Sequence, residues 1–169
     1  IDWCKMGHED PETFVYDEIV IGNKHYKFRA GTKNFIEDLI KLFPKEEKAI
    51  RRYIRLIQLV AKKDYFFKLK VIYNNWLRKF LSLFIGKDYQ YYGSTSAYDV
   101  IKTLTKNEEL IAVLCGQFGD YGPTPKNASF FIHASIVNHY LEGGFYPKGG
   151  PQEIIKQIIP VIEKAGGRV

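Results

Sequence analysis

N-H-Y-L-E-G-G-F-Y-P-K-G-G-P-Q-E-I, residues 138 to 154, is the stretch on which the reading of this chain turns. Two glycine pairs, Gly143-Gly144 and Gly149-Gly150, bracket the aromatic segment Phe145-Tyr146-Pro147. Paired glycines mark a backbone that takes positive φ or approaches something closely without a Cβ in the way. The second pair also stands directly before a helical pattern, where unpaired N–H groups and the positive dipole end collect. The stretch therefore reads as backbone offered to a flat or anionic ligand. Its plainer reading is a helix C-cap, a turn and the start of the next helix.

Upstream, residues 128–141 form an apolar pattern carrying Phe130, Phe131, Ile132, Ala134, Ile136 and Val137, with Asn127 as the predicted cap. Such a helix is expected to be central and buried. Its polar members His133, Asn138 and His139 read as hydrogen-bonded core residues, and no third ligand stands at a spacing that suits a metal. Downstream, Ile154, Ile155, Ile158, Ile159 and Ile162 mark a last helix that Pro160 should kink. Further out, residues 12–29 alternate as a β-hairpin around Gly22-Asn23, a two-residue turn of the primed type. Phe35, Leu39 and Leu42 make one face of a helix over 33–43. Pro44 opens another that runs to Lys62, with Ile50, Tyr53, Ile54, Ile57 and Ala61 buried and Arg51, Arg52, Arg55 and Gln58 outward. Residues 87–96 read as a loop, with Ser94 or Ser96 capping a helix over 97–104. Asn107 caps one that runs to Gln117, and 118–125 is a turn-rich linker. The fold class predicted from these patterns is α+β and mostly helical, with an N-terminal β-hairpin and a short strand near 144–147.

Residues 65–85 mix large aromatic and aliphatic side chains with Lys68, Lys70, Arg78 and Lys79. The charges rule out a spanning helix. The segment reads either as a basic amphipathic stretch at a membrane surface or as a core helix with snorkelling lysines.

The length of 169 residues suits one domain with a real core. A net charge of +6 suits an anionic partner, whether nucleic acid, a phosphate-bearing cofactor or a membrane surface, and equally suits solubility alone. The basic residues are spread along the chain and no RNP, KH or zinc-finger pattern is present, so no nucleic-acid partner is expected. Cys4 and Cys115 stand far apart outside any C-x-x-C pattern, and free thiols are expected. There is no G-x-G-x-x-G, Walker loop, H-E-x-x-H or G-x-S-x-G.

The segment F-Y-P-K-G-G-P-Q-E-I resembles the [FY]-P-x-G-G-x-x-x-[LI] motif of the superfamily that holds phytoene desaturases, carotenoid isomerases and flavin amine oxidases. A longer set of motifs resembles the all-trans-retinol 13,14-reductase, or retinol saturase, family. These are F-G-D-Y-G-x-T-P (118–125), H-A-x-x-V-N-H-Y (133–140), I-P-V-I-E-K-A-G-G (159–167) and, further back, G-x-x-x-F-I-x-x-L-x-x-x-F-P (31–44). The resemblance covers nearly the whole chain and is weakest between Asp64 and Gly93. It implies a two-domain flavoprotein that uses FAD, reduced by NAD(P)H, to saturate one double bond of a retinoid or another polyene.

Because the dinucleotide fingerprint is absent, the chain is expected to be an interior fragment that neither holds FAD well nor turns over alone. Residues 1–143 would belong to the substrate-binding domain, and 144–169 would return toward the FAD domain. The resemblance places Gly149, Gly150 and Glu153 nearest the flavin, although Pro151-Gln152 replaces the small residues often found there. It places Phe130, Phe131, Phe145 and Tyr146 against substrate. His133, His139, Tyr140, Tyr146 and Glu153 are the groups able to donate a proton, and the residues do not choose among them. Localisation at the endoplasmic reticulum membrane is implied in the same way. The alternatives are a carotenoid isomerase or desaturase on the same scaffold, and a non-enzymatic membrane-peripheral helical module.

Overall fold

A computed structural model of the chain describes residues 1–7, 14–62 and 87–169. The basic segment 65–85 lies outside them. Within the described residues the fold is α+β and mostly helical. Strands β2 (Val15–Ile21) and β3 (Lys24–Arg29) form the expected antiparallel hairpin, with Gly22 at φ 61 in its turn. Positive φ at the first central position, and not at Asn23, is the pattern of a type II′ turn, whose twist matches that of the paired strands. Strand alternation turns Tyr26 and Phe28 into the core and leaves His25 and Lys27 outside.

Helix α1 (Thr32–Leu42) follows, tied to the hairpin by Arg29, whose Nε and Nη2 donate to Asp38 at 2.6 and 2.8 Å. A 3-10 turn at Pro44–Glu46 leads into α2 (Glu47–Ala61). Helices α3 (Lys87–Ser94), α4 (Ala97–Leu104), α5 (Glu108–Cys115), α6 (Phe130–Tyr140) and α7 (Gln152–Lys164) complete the set. Asn107 caps α5 as predicted, its Oδ1 accepting from the Leu110 N–H at 3.1 Å.

The core forms where α2 crosses α6. Ile50, Tyr53, Ile54, Ile57 and Val60 recur at helical spacing on α2 and meet Phe130, His133, Ala134 and Val137 of α6. Each large apolar side chain removed from water there contributes about 1.5–3 kcal/mol.

Several expectations are corrected. Residues 87–94 form a helix rather than a loop, because tertiary contact overrides weak local propensity: the Tyr92 ring packs 5.5 Å from Phe130. Ser129, not Asn127, caps α6, and its Oγ accepts from the Ile132 N–H at 3.3 Å. The Asn127 N–H is engaged one turn earlier, on the Thr124 carbonyl at 2.8 Å, so the helix starts two residues later than predicted. Helix α6 is buried along one face, not all round, since Ile132 is 46% exposed. Leu42 is half-exposed at the end of α1, and Phe43 takes the buried place beyond it. Ala61 is only partly buried, and Val60 completes the α2 stripe instead. Helix α5 stops at Cys115 and passes into a 3-10 turn, Gly116–Asp120. Finally, β4 (Phe145–Pro147) lies where a strand was expected, but its partner β1 (Trp3–Lys5) was not foreseen. Three residues are too few to show alternation.

Candidate functional site

The glycine stretch is held at both ends by backbone. In the β1–β4 pair Cys4 stands opposite Tyr146, and the Lys148 N–H donates to the Asp2 carbonyl at 2.9 Å. Pro147 is buried, while Phe145 and Tyr146 are 51% and 45% exposed. Gly149 and Gly150 follow, both at φ 89, and α7 begins at Gln152. Side chains adopt that φ only with strain, so two in succession require glycine. A Cβ on Gly149 would stand 3.1 Å from Cγ of Glu153, whereas one on Gly150 would meet nothing within 4 Å. The face of Gly150 is therefore open. Glu153 is partly exposed, and its Oε1 ion-pairs with Nζ of Lys156 at 2.5 Å.

His133 has the opposite surroundings. It is fully buried, with Nε2 2.8 Å from the Tyr53 hydroxyl and Nδ1 3.1 Å from the Tyr121 hydroxyl. Burial pushes its pKa down to about 4, so the imidazole is neutral at pH 7 and carries one N–H and one lone pair. One tyrosine must then donate to the ring and the other accept from it. Tyr53 can also donate to the Leu114 carbonyl at 3.5 Å. An assignment in which Nε2–H donates to Tyr53 and Tyr121 donates to Nδ1 leaves each polar group with a partner.

The remaining candidates separate from this pair of sites. His139 is exposed, edge-on to the Tyr140 ring at 5.2 Å, and Tyr140 stacks on Tyr16 at 6.2 Å. Phe130 lies fully buried against Tyr92 and His133, and Phe131 is partly buried. Phe145, Tyr146, Gly149, Gly150 and Glu153 follow one another along β4 and the start of α7. Phe145 and Tyr146 lie on opposite faces of the strand, and Glu153 folds against Gly149. His133, His139, Phe130 and Phe131 lie on α6, apart from that segment.

Sequence reasoning missed Tyr121 as a partner of His133 and treated Tyr53 only as part of an apolar stripe. It also missed a cleft of about 550 Å3 between the hairpin and the 3-10 turn, lined by Asp17, Gln117 and Asp120 among others. Burial, reinforced by Asp120, raises the Asp17 carboxyl above its usual range. Neither this cleft nor one of about 510 Å3 beside His25 and Lys41 takes in residues 144–153.

For a flavin the fit is that of an edge. The backbone at Gly150 is open to the approach of a flat group, while the Glu153 carboxylate stands against the neighbouring Gly149. The sequence contains no glycine loop for the pyrophosphate. Among the described residues no group of three or more metal-ligating side chains occurs, and both cysteines are unbridged.

No protein-family model matches the chain, and no solved structure does. Curated relatives do. The chain is 42% identical over 95% of its length to the all-trans-retinol 13,14-reductase of Danio rerio, and 37% identical over its whole length to that of Macaca fascicularis. A second Danio rerio protein, named an inactive all-trans-retinol 13,14-reductase, is 32% identical over 90% of the chain. The chain spans about 28% of the length of the first two relatives and 26% of the third. The likeness runs the length of the sequence, and the chain belongs to the all-trans-retinol 13,14-reductase family.

Proposed function

We propose that this chain is the substrate-side part, with one cofactor-facing edge, of a larger FAD-dependent oxidoreductase. Drawing on NAD(P)H, the whole enzyme saturates one double bond of a retinoid, all-trans-retinol to 13,14-dihydroretinol, at the endoplasmic reticulum membrane. The observation that carries this reading is the 42% identity to a reductase so named across 95% of the chain. FAD, when bound, supplies the hydride. The chain's own residues supply shape and a proton. Gly149 and Gly150 keep the backbone free of Cβ atoms on the cofactor side. Phe145 and Tyr146, both about half-exposed, offer aromatic surface suited to a flat apolar polyene. Of the groups able to hold a proton, Tyr146 and Glu153 flank the glycine pair; the Glu153 carboxylate is engaged by Lys156, and we assign the donor to the Tyr146 hydroxyl.

The test uses the full-length enzyme with Gly150→Val. A side chain at φ 89 costs roughly 1 kcal/mol or more in strain, a modest loss for the whole protein. Flavin absorbance per folded molecule and retinol saturation should fall far more than the melting temperature does. Full flavin loading with normal turnover would reduce the glycine pair to a turn. Because one relative carries the name inactive, turnover of the unsubstituted enzyme on all-trans-retinol is measured first.

A further inference from the structure

Helix α2 has a second face that the redox reading does not use. Arg52, Arg55 and Leu59 stand at i, i+3 and i+7 on it and border a cleft of about 330 Å3 shared with α3 and α4. Leu56 and Leu104 line it beside them, Tyr91 stands at its edge, and no acidic residue lines it. Arg51 is neutralised by Glu47 at 2.8 Å, but Arg52 and Arg55 have no hydrogen bond or ion pair among the described residues. Leu59 and Tyr91 are 50% and 48% exposed, so the cationic groups are bordered by apolar surface rather than by carboxylates.

Two unpaired guanidiniums within one helical turn repel each other until an anion joins them. Guanidinium forks match phosphate oxygens in bidentate geometry. A free phosphate would have no use for the leucines beside them. A phosphate attached to hydrocarbon would use both, and an amphipathic tyrosine suits a boundary between water and lipid. We propose that this cleft seats the phosphate headgroup of an anionic phospholipid, holding the α2 face against a membrane surface. The proposal does not rest on the redox reading and survives its failure.

Flotation of the full-length protein with phosphatidylcholine vesicles, with and without phosphatidic acid, tests it. Arg52→Glu with Arg55→Glu should lower partitioning onto the acidic vesicles by about tenfold or more, since each basic group near an anionic surface contributes severalfold. A control with the same charge change at two exposed lysines on helices that do not line the cleft, Lys33→Glu with Lys164→Glu, should stay near the unsubstituted protein. Melting curves confirm that both variants are folded. Equal loss in both variants would mean diffuse electrostatics and overturn the site, as would no loss in the arginine variant. Competition by inorganic phosphate as effective as that by the lipid would make it a plain anion site and overturn the lipid assignment.

Discussion

His133 shows how one side chain can hold a fold and set its pH limits. Its pKa of about 4 in the folded chain lies below the 6.5 of an unhindered imidazole, so the unfolded chain binds the proton more tightly. The stability this burial contributes is fully present above pH 6.5 and declines as pH falls toward 4. The span is worth on the order of 3 kcal/mol. Urea unfolding at pH 7.5, 5.5 and 4.5 should show that decline. His133→Gln, which keeps hydrogen bonds but cannot titrate, should flatten it while costing about 2 kcal/mol at pH 7.5. An unchanged pH slope in the glutamine variant would assign the acid sensitivity to other groups. The same burial explains why a histidine in an otherwise apolar helix is not available at the surface as an acid at neutral pH.

At the scale of elements, caps decide where helices begin, and α6 offers a direct comparison. Ser129 accepts from the Ile132 N–H, whereas Asn127 belongs to the preceding turn. Ser129→Ala should therefore cost about 1 kcal/mol of stability, and Asn127→Ala less than half of that. Chemical denaturation of the two variants checks the order, and the reverse order would restore Asn127 as the cap. The glycine pair belongs to this scale too. Its two left-handed residues set the path from β4 into α7, and the open side of Gly150 follows from that path.

At the scale of the molecule, burial among the described residues is uneven. Ile50, Ile54 and Ile57 of α2 are almost wholly buried. Helix α7, with five isoleucines and a valine, has no buried residue, and Ile155, Ile158 and Val161 are 53%, 50% and 68% exposed. In the 169-residue chain, Ile54→Ala should cost about 3 kcal/mol through the cavity it leaves. Ile158→Ala should stay within about 0.5 kcal/mol. Comparing the two urea midpoints tests whether α7 is as uncovered in solution as the structure has it, and similar losses would show that it packs.

What the sequence determined by itself is what local spacing can encode. The Gly22-Asn23 turn between alternating strands, the apolar stripe of α2 and the Asn107 cap all depend on residues within about four positions of one another. The glycine pair before α7 was legible for the same reason, and so was the family, because its motifs are short and contiguous. The tertiary structure decided the contacts that bridge long separations. Tyr53 meets His133 across 80 positions, and Cys4 stands opposite Tyr146 across 142. Neither pairing leaves a local pattern. A sealed imidazole must find partners wherever the packed chain supplies them, and a three-residue strand forms only once its partner is already in place.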